Sequence, residues 1–286
     1  MMSSKIYFKS HGRFSVKRKA VSVVSGLHFL LAPKHAKRTA RKLFLTPAKG
    51  RAINKEPAGM IKKTIDTSEG KLMTYQIGNG PLWLLSHGWS GSSSQFFPLM
   101  EHIAAAGFTA LAYDQPAHGE SEGRQSSLPS FVTALNDLLS QFDGVEGVVT
   151  HSMAGAGMLE STHSALAGKP VLLVAPVLNY RDNLYGTVKA SGYSMRLFEE
   201  VVKEVEDKYN YPIFSIDPLA KLKKRNSPVV IVHDRHDRFA HFGASEEAGN
   251  CEHVHLVATE GLGHGRIMKS KALFDAFDLL VSSSNE

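Results

Sequence analysis

A chain of 286 residues that is 43% hydrophobic and 21% charged has enough apolar surface to bury one large core, which excludes a wholly disordered polymer. Its formal charge of +6 belongs to one end: through Lys63 there are sixteen Lys and Arg against a lone Glu56, and the remainder is net acidic, which removes the main support for a nucleic-acid-binding body. Cys251 is the only cysteine, so one protomer can form neither a disulfide nor a cysteine-based metal cluster, and a reducing, cytoplasmic setting suits it.

In chain order, the run Ala20 to Leu31 follows basic residues as the core of a signal peptide would. However, His28 interrupts it, no small-x-small cleavage site follows, and Lys34, Lys37, Arg38, Arg41 and Lys42 come next. It is also shorter than the roughly twenty apolar residues of a membrane span. Residues 35–45 place Ala36, Ala40, Leu43 and Phe44 on one helical stripe among basic residues. The expected role is a helix packed on the protein body, with docking on an anionic membrane surface at the inner face as the second reading. Residues 46–59 read as a linker. The expected organisation is therefore a basic N-terminal arm over 1–60 with an amphipathic helix, and a single domain over 61–286.

From Ile61 onward, short apolar runs alternate with helix-length segments, the pattern of βαβ units and a mainly parallel sheet. Strands are expected at Leu72–Ile77, Leu82–Ser86, Thr109–Tyr113, Gly147–Thr150, Val171–Ala175, Val229–His233 and His253–Val257. Helices are expected at Gln95–Ala105, Leu128–Phe142, Met153–Ala167, His241–Ala248 and Ile267–Val281. Residues 177–228 form an insertion without a clear strand, with an acidic helix around Phe198–Lys208.

The segment Val148-Val149-Thr150-His151-Ser152-Met153-Ala154-Gly155 runs from an apolar strand straight into a small-residue helix. A serine there sits on a sharp turn over a helix N-terminus, where backbone N–H groups can stabilise an oxyanion; alone, Ser152 reads equally well as a helix cap. Its company decides between these readings. Asp234-Arg235-His236-Asp237 follows the strand ending at His233, and Gly263-His264-Gly265 follows the last strand. Ser, Asp, His, each past the carboxyl end of a strand, is the order expected of an α/β-hydrolase triad. His264 is the base a weakly nucleophilic hydroxyl needs. Asp237 is preferred as its orienting acid over Asp234, which directly follows the strand and suits a turn-forming role. His87-Gly88-Trp89 ends another strand, so the N–H groups of Trp89 and Met153 are the expected oxyanion donors, with the His87 side chain bracing the loop. His236 and His241 lack a clear ligand spacing, so no metal is expected.

With Asp114-Gln115-Pro116-Ala117-His118-Gly119-Glu120-Ser121, these residues resemble the α/β-hydrolase superfamily, whose members carry a similar D-x-P-x-H-G-x-S turn; the likeness runs from about Ile61 to the C-terminus. The phrases ARKLFLTP (residues 40–47), DQPAHG, VHDRHD and TEGLGH look like one branch of bacterial α/β-fold hydrolases with few assigned substrates. The resemblance implies an α/β fold with a mainly parallel central sheet, helices on both faces and a short helical lid over about 177–228. Ser152, Asp237 and His264 match the triad, and Trp89 and Met153 match the oxyanion hole. Thr150 and Ala154 replace the two glycines of the usual G-x-S-x-G. The expected activity is hydrolysis of a small or medium carboxylic ester or thioester through an acyl-enzyme, without a cofactor, with amide hydrolysis, carbon–carbon bond cleavage and perhydrolysis as open alternatives. A serine nucleophile argues against the haloalkane dehalogenase and epoxide hydrolase branches. A non-catalytic binding module with this fold and a membrane-surface lipid esterase are the rival readings.

Overall fold

The computed structural model describes residues 16–48 and 53–283. The expected arm and linker fall partly outside the described residues, at 1–15 and 49–52. Two helices come first, α1 (Val16–Leu31) and α2 (Pro33–Leu45). They precede β1 (Ile61–Thr67), β2 (Gly70–Ile77), β3 (Leu82–Ser86), α3 (Phe97–Ala105), β4 (Thr109–Tyr113) and α4 (Leu128–Leu139). Next are β5 (Gly147–His151), α5 (Met153–Glu160), β6 (Val171–Val174), α6 (Tyr180–Ser191), α7 (Met195–Tyr209) and α8 (Pro218–Lys223). The chain continues through β7 (Val229–Asp234), α9 (Gly243–Ala248), β8 (Val254–Thr259), α10 (Gly263–Arg266) and α11 (Lys271–Ser283).

The strands form one eight-stranded sheet in the order β1-β2-β4-β3-β5-β6-β7-β8. Its β1/β2 and β2/β4 pairs are antiparallel and the rest parallel. Continuous apolar runs such as Val229–Val232 suit strands covered on both faces. Alternate residues serve different layers: Leu85, Val149 and Val232 join the core beneath α3 and α11, while Leu84, Val148 and Ile231 join that beneath α4 and α5. The chain leaves β3 toward β4 on one side, then crosses to β5 on the other. This opens a crevice at the carboxyl ends of β3 and β5, the switch point at which such sheets bind ligands.

Four departures from the expected elements have local causes. β1 was not expected as a strand because it is a mostly exposed edge with consecutive lysines, Lys62 and Lys63; its register with β2, from Ile61↔Gln76 to Thr67↔Gly70, holds it. α5 ends at Glu160 rather than reaching Ala167, because Ser161 turns to extended backbone and caps the chain's exit by bonding Asn136. α6 arises inside 177–228 from a polar segment with a weak apolar pattern, packed against α1 and α7. α1 spans the run Ala20–Leu31 and four residues before it.

Of the stripe expected on residues 35–45, Ala36, Ala40 and Phe44 face the protein, while Leu43 stays exposed. Ala36 and Ala40 are fully buried against Leu197 and Val201 of α7, and Phe44 packs edge-on to Tyr193 and Phe198. Lys37 bonds Glu200 at 2.5 Å, and Arg41 lies 4.0 Å from Glu204, so the basic helix rests on the acidic one.

Candidate active site

Ser152 joins β5 to α5 with φ +59 and ψ −124, a conformation costly for any residue with a Cβ and one that needs support from its surroundings. Support comes from its own backbone: Ser152 N–H donates to Val174 O at 2.9 Å, and Ser152 O accepts from Gly155 N–H at 3.0 Å and Val177 N–H at 3.3 Å. Its side chain makes no capping bond to α5, so the helix-cap reading fails and the hydroxyl is left for another partner. That partner is His264 Nε2, 2.9 Å away. His264 Nδ1 in turn lies 2.6 Å from Asp237 Oδ2. The structure thus brings together three residues more than eighty positions apart in chain order for the first pair.

Asp237 is held from several sides. Its Oδ1 accepts from the N–H groups of Phe239 at 2.7 Å and Ala240 at 3.1 Å, and the buried His233 Nε2 lies 3.4 Å from Oδ2. Burial pushes the carboxyl pKa up, but the bonds from His233, His264 and Phe239 outweigh it and the net shift is downward. The carboxylate is therefore ionised and accepts Nδ1–H, and in the neutral imidazole this leaves Nε2 as acceptor for the serine proton. Asp234 is used differently. It accepts from His236 N–H, Thr259 Oγ1 and Leu262 N–H at 3.0, 3.1 and 2.8 Å, tying the turn after β8, which leads into His264, to the end of β7.

Two histidines flank the group as braces. His151 Nε2 donates to His264 O at 3.0 Å, and the two rings lie 4.7 Å apart. Burial, then the neighbouring His264 charge, pushes the His151 pKa down to about 3. His87, fully buried, donates from Nδ1 to Gly88 O at 2.8 Å and accepts Gln115 N–H on Nε2 at 3.0 Å, with its pKa lowered chiefly by burial. The Asp114–Ser121 turn holds the same loop from below: Asp114 Oδ1 accepts Ser93 N–H at 2.7 Å, and His118 Nε2 accepts Ser90 N–H at 3.0 Å.

Close packing explains the Gly88 position, since a Cβ there would sit 2.7 Å from Ser152 Cβ. Trp89 directly follows Gly88 and Met153 directly follows Ser152 in the chain. The Met153 side chain lies in an apolar cluster with Tyr180 and Leu184 of α6. The half-exposed Phe239 ring lies 5.3 Å from His264.

Thr150 and Ala154 are accommodated without loss of the turn. Thr150 is fully buried in β5, and its Oγ1 has no hydrogen-bond partner. The space it needs is given by Gly155, where a Cβ would lie 3.2 Å from Thr150 Oγ1 and 3.3 Å from Pro176 Cβ. The glycine requirement has moved one place along the helix.

Of the residues expected from the sequence, the structure brings Ser152 and Asp237 within hydrogen-bond reach of His264; the sequence reading assigns no role to His233 or His151. Each is a histidine within the last two residues of a buried strand, a signal that could have marked it as lying near the carboxyl-end crevice.

A model of the alpha/beta hydrolase family matches residues 83–276. No curated protein matches by sequence. Among solved structures, an esterase of Pyrococcus furiosus is similar at 18% identity and TM-score 0.63, covering 84% of this chain and 99% of that one. A ferulic-acid-bound protein of Butyrivibrio proteoclasticus, Est1E, is similar at 17% identity and TM-score 0.59, covering 77% and 99%. The thioesterase domain from the curacin biosynthetic pathway is similar at 15% identity and TM-score 0.56, covering 78% and 100%.

Proposed function

Because this chain belongs to the alpha/beta hydrolase family, we propose that it is a serine hydrolase that cleaves a carboxylic ester or thioester by acyl transfer to water. The observation that carries this reading is the unbroken Ser152–His264–Asp237 hydrogen-bond relay, built on a serine whose hydroxyl is released from helix capping.

In the proposed reaction Ser152 Oγ attacks the substrate carbonyl while His264 Nε2 takes its proton, and Asp237 stabilises the imidazolium that forms. The carbonyl oxygen becomes an oxyanion facing the N–H groups of Trp89 and Met153, each such donor contributing about 3 kcal/mol in transition states of this kind. His264 returns the proton to the departing alcohol or thiol, leaving an acyl-serine. Water then repeats the sequence with His264 as base, releasing the carboxylic acid and restoring Ser152. All groups come from the protein, and no step calls for a cofactor. We assign residues 61–286 to the hydrolase domain, 177–228 to its lid and 1–60 to an arm that packs on the lid through α2. Esterase and thioesterase neighbours of the same fold support this substrate class.

Labelling with a fluorophosphonate, followed by peptide mass mapping and comparison with Ser152→Ala, tests the reading. Modification at Ser152 that is lost in the variant is the expected result. A folded protein that stays unlabelled while hydrolysing none of a panel of esters and thioesters would leave the fold in a non-catalytic role.

A further inference from the structure

We propose that α1 is an interfacial helix that seats this protein on an anionic lipid bilayer. Val16, Val23, Val24, Leu27, Leu30 and Leu31 recur at i, i+7, i+8, i+11, i+14 and i+15 and so share one helix face. That face is open: Val24 is 66%, Leu27 51%, Leu30 75% and Leu31 78% exposed. A contiguous exposed apolar stripe of this kind marks an interaction surface.

The opposite face is fixed to the protein, so the stripe has a defined outward direction. Arg18 donates to Lys189 O at 3.0 Å, Ser194 N–H donates to Ser25 Oγ at 3.0 Å, and Arg196 lies over the Phe29 ring at 4.9 Å. All three contacts are with α6, α7 or the short turn between them.

Charge identifies the occupant. On α2, Lys34, Arg38 and Lys42 form an i, i+4, i+8 row opposite the buried Ala36 and Ala40. All three are exposed and form no ion pair among the described residues. The outer surface of the α1–α2 pair therefore combines an apolar stripe with uncompensated cations, the composition of a helix that lies at an anionic headgroup boundary. A second copy of this chain would bring the same cations against themselves, since a two-fold interface meets its own patch. Among the described residues no helix is long and apolar enough to cross a membrane, so α1 lies in the interface plane.

The test is co-sedimentation of the full chain with vesicles of phosphatidylcholine alone and of phosphatidylcholine mixed with phosphatidylglycerol. It is run at low salt and at about 1 M salt, where the screening length is about 3 Å. Binding at least about tenfold stronger to the anionic vesicles at low salt is expected, largely lost at high salt. Leu27→Glu with Leu30→Glu lowers it at least about tenfold. Lys34→Gln, Arg38→Gln and Lys42→Gln each lower it about fivefold. All five positions are exposed, and thermal melts confirm that the variants stay folded. A parent chain that remains in the supernatant at low salt overturns the proposal. So does a Leu27→Glu, Leu30→Glu variant that binds like the parent. A concentration-dependent dimer that Leu27→Glu disperses, with no vesicle binding, assigns the face to a second copy instead. Vesicle binding is read without turnover, so its failure leaves the hydrolase reading untouched.

Discussion

Replacing Asp237 with Asn changes almost no volume but inverts the proton logic of the site. In the parent, Asp237 Oδ1 accepts two backbone N–H groups, from Phe239 and Ala240, and Oδ2 accepts from His264 Nδ1 at 2.6 Å. An asparagine must place its carbonyl oxygen at the Oδ1 position, because its NH2 there would face two donors and leave buried groups unpaired. The NH2 is then directed at His264 Nδ1, which must accept. The proton moves to Nε2, and the imidazole presents a donor to Ser152 where it needs an acceptor. For a wrong-tautomer change of this kind the expected loss is about 10⁴-fold in kcat with little change in KM, which corresponds to about 5 kcal/mol of transition-state stabilisation. The assay is steady-state hydrolysis of an activated nitrophenyl ester, with the rate of fluorophosphonate labelling as a direct reading of Ser152 reactivity. Both should fall together, because both require the same proton removal. A folded Asp237→Asn variant that keeps more than about a tenth of parent activity would refute the orienting role and return attention to Asp234.

Two further predictions follow from the groups around the serine. His151, with its pKa pushed down to about 3 against about 6.5 unfolded, stays neutral in the fold while the unfolded chain takes up a proton. Its effect is thus a loss of stability as pH falls from about 6.5 to about 3, at up to about 1.4 kcal/mol per pH unit. Denaturant melts of His151→Gln should show a correspondingly shallower decline over that window, and identical slopes would mean that His151 is protonated in the folded protein. At the elbow, Gly155→Ala gains about 1 kcal/mol of helix propensity but presses on Thr150 Oγ1 and Pro176. In a Thr150→Ala background part of that pressure is gone, so the double-mutant cycle should show favourable coupling of at least about 0.5 kcal/mol. Additivity within about 0.3 kcal/mol would mean that the two sites do not share this space.

Local patterns carried a large part of the fold and pointed to the candidate site. Val229–His233 reads as a buried strand because the unbroken β-branched run Val229–Val232 suits a two-sided parallel position, and Ser152, Asp237 and His264 stand out because each follows the carboxyl end of an expected strand. That information is local, and so it survives in sequence. β1 does not: its lysines hide an edge strand that exists only because β2 lies beside it. α1 and α6 likewise depend on each other's surfaces, and the apolar run Ala20–Leu31 does not reveal which of its faces meets α6.

The sequence by itself determined the alternation of strands and helices and the order of the Ser, Asp and His positions along it, because side-chain periodicity and strand-end turns are set by near neighbours. Only the tertiary structure decided the distances of 2.9 and 2.6 Å that join Ser152, His264 and Asp237, the placing of His151 and His233 beside them, and the room that Gly155 leaves for the Thr150 side chain. It also decided that α2 turns Ala36, Ala40 and Phe44 inward onto α7 while α1 turns an apolar stripe outward. These outcomes rest on contacts between segments far apart in the chain, where the balance of burial and charge is settled by what each face happens to meet.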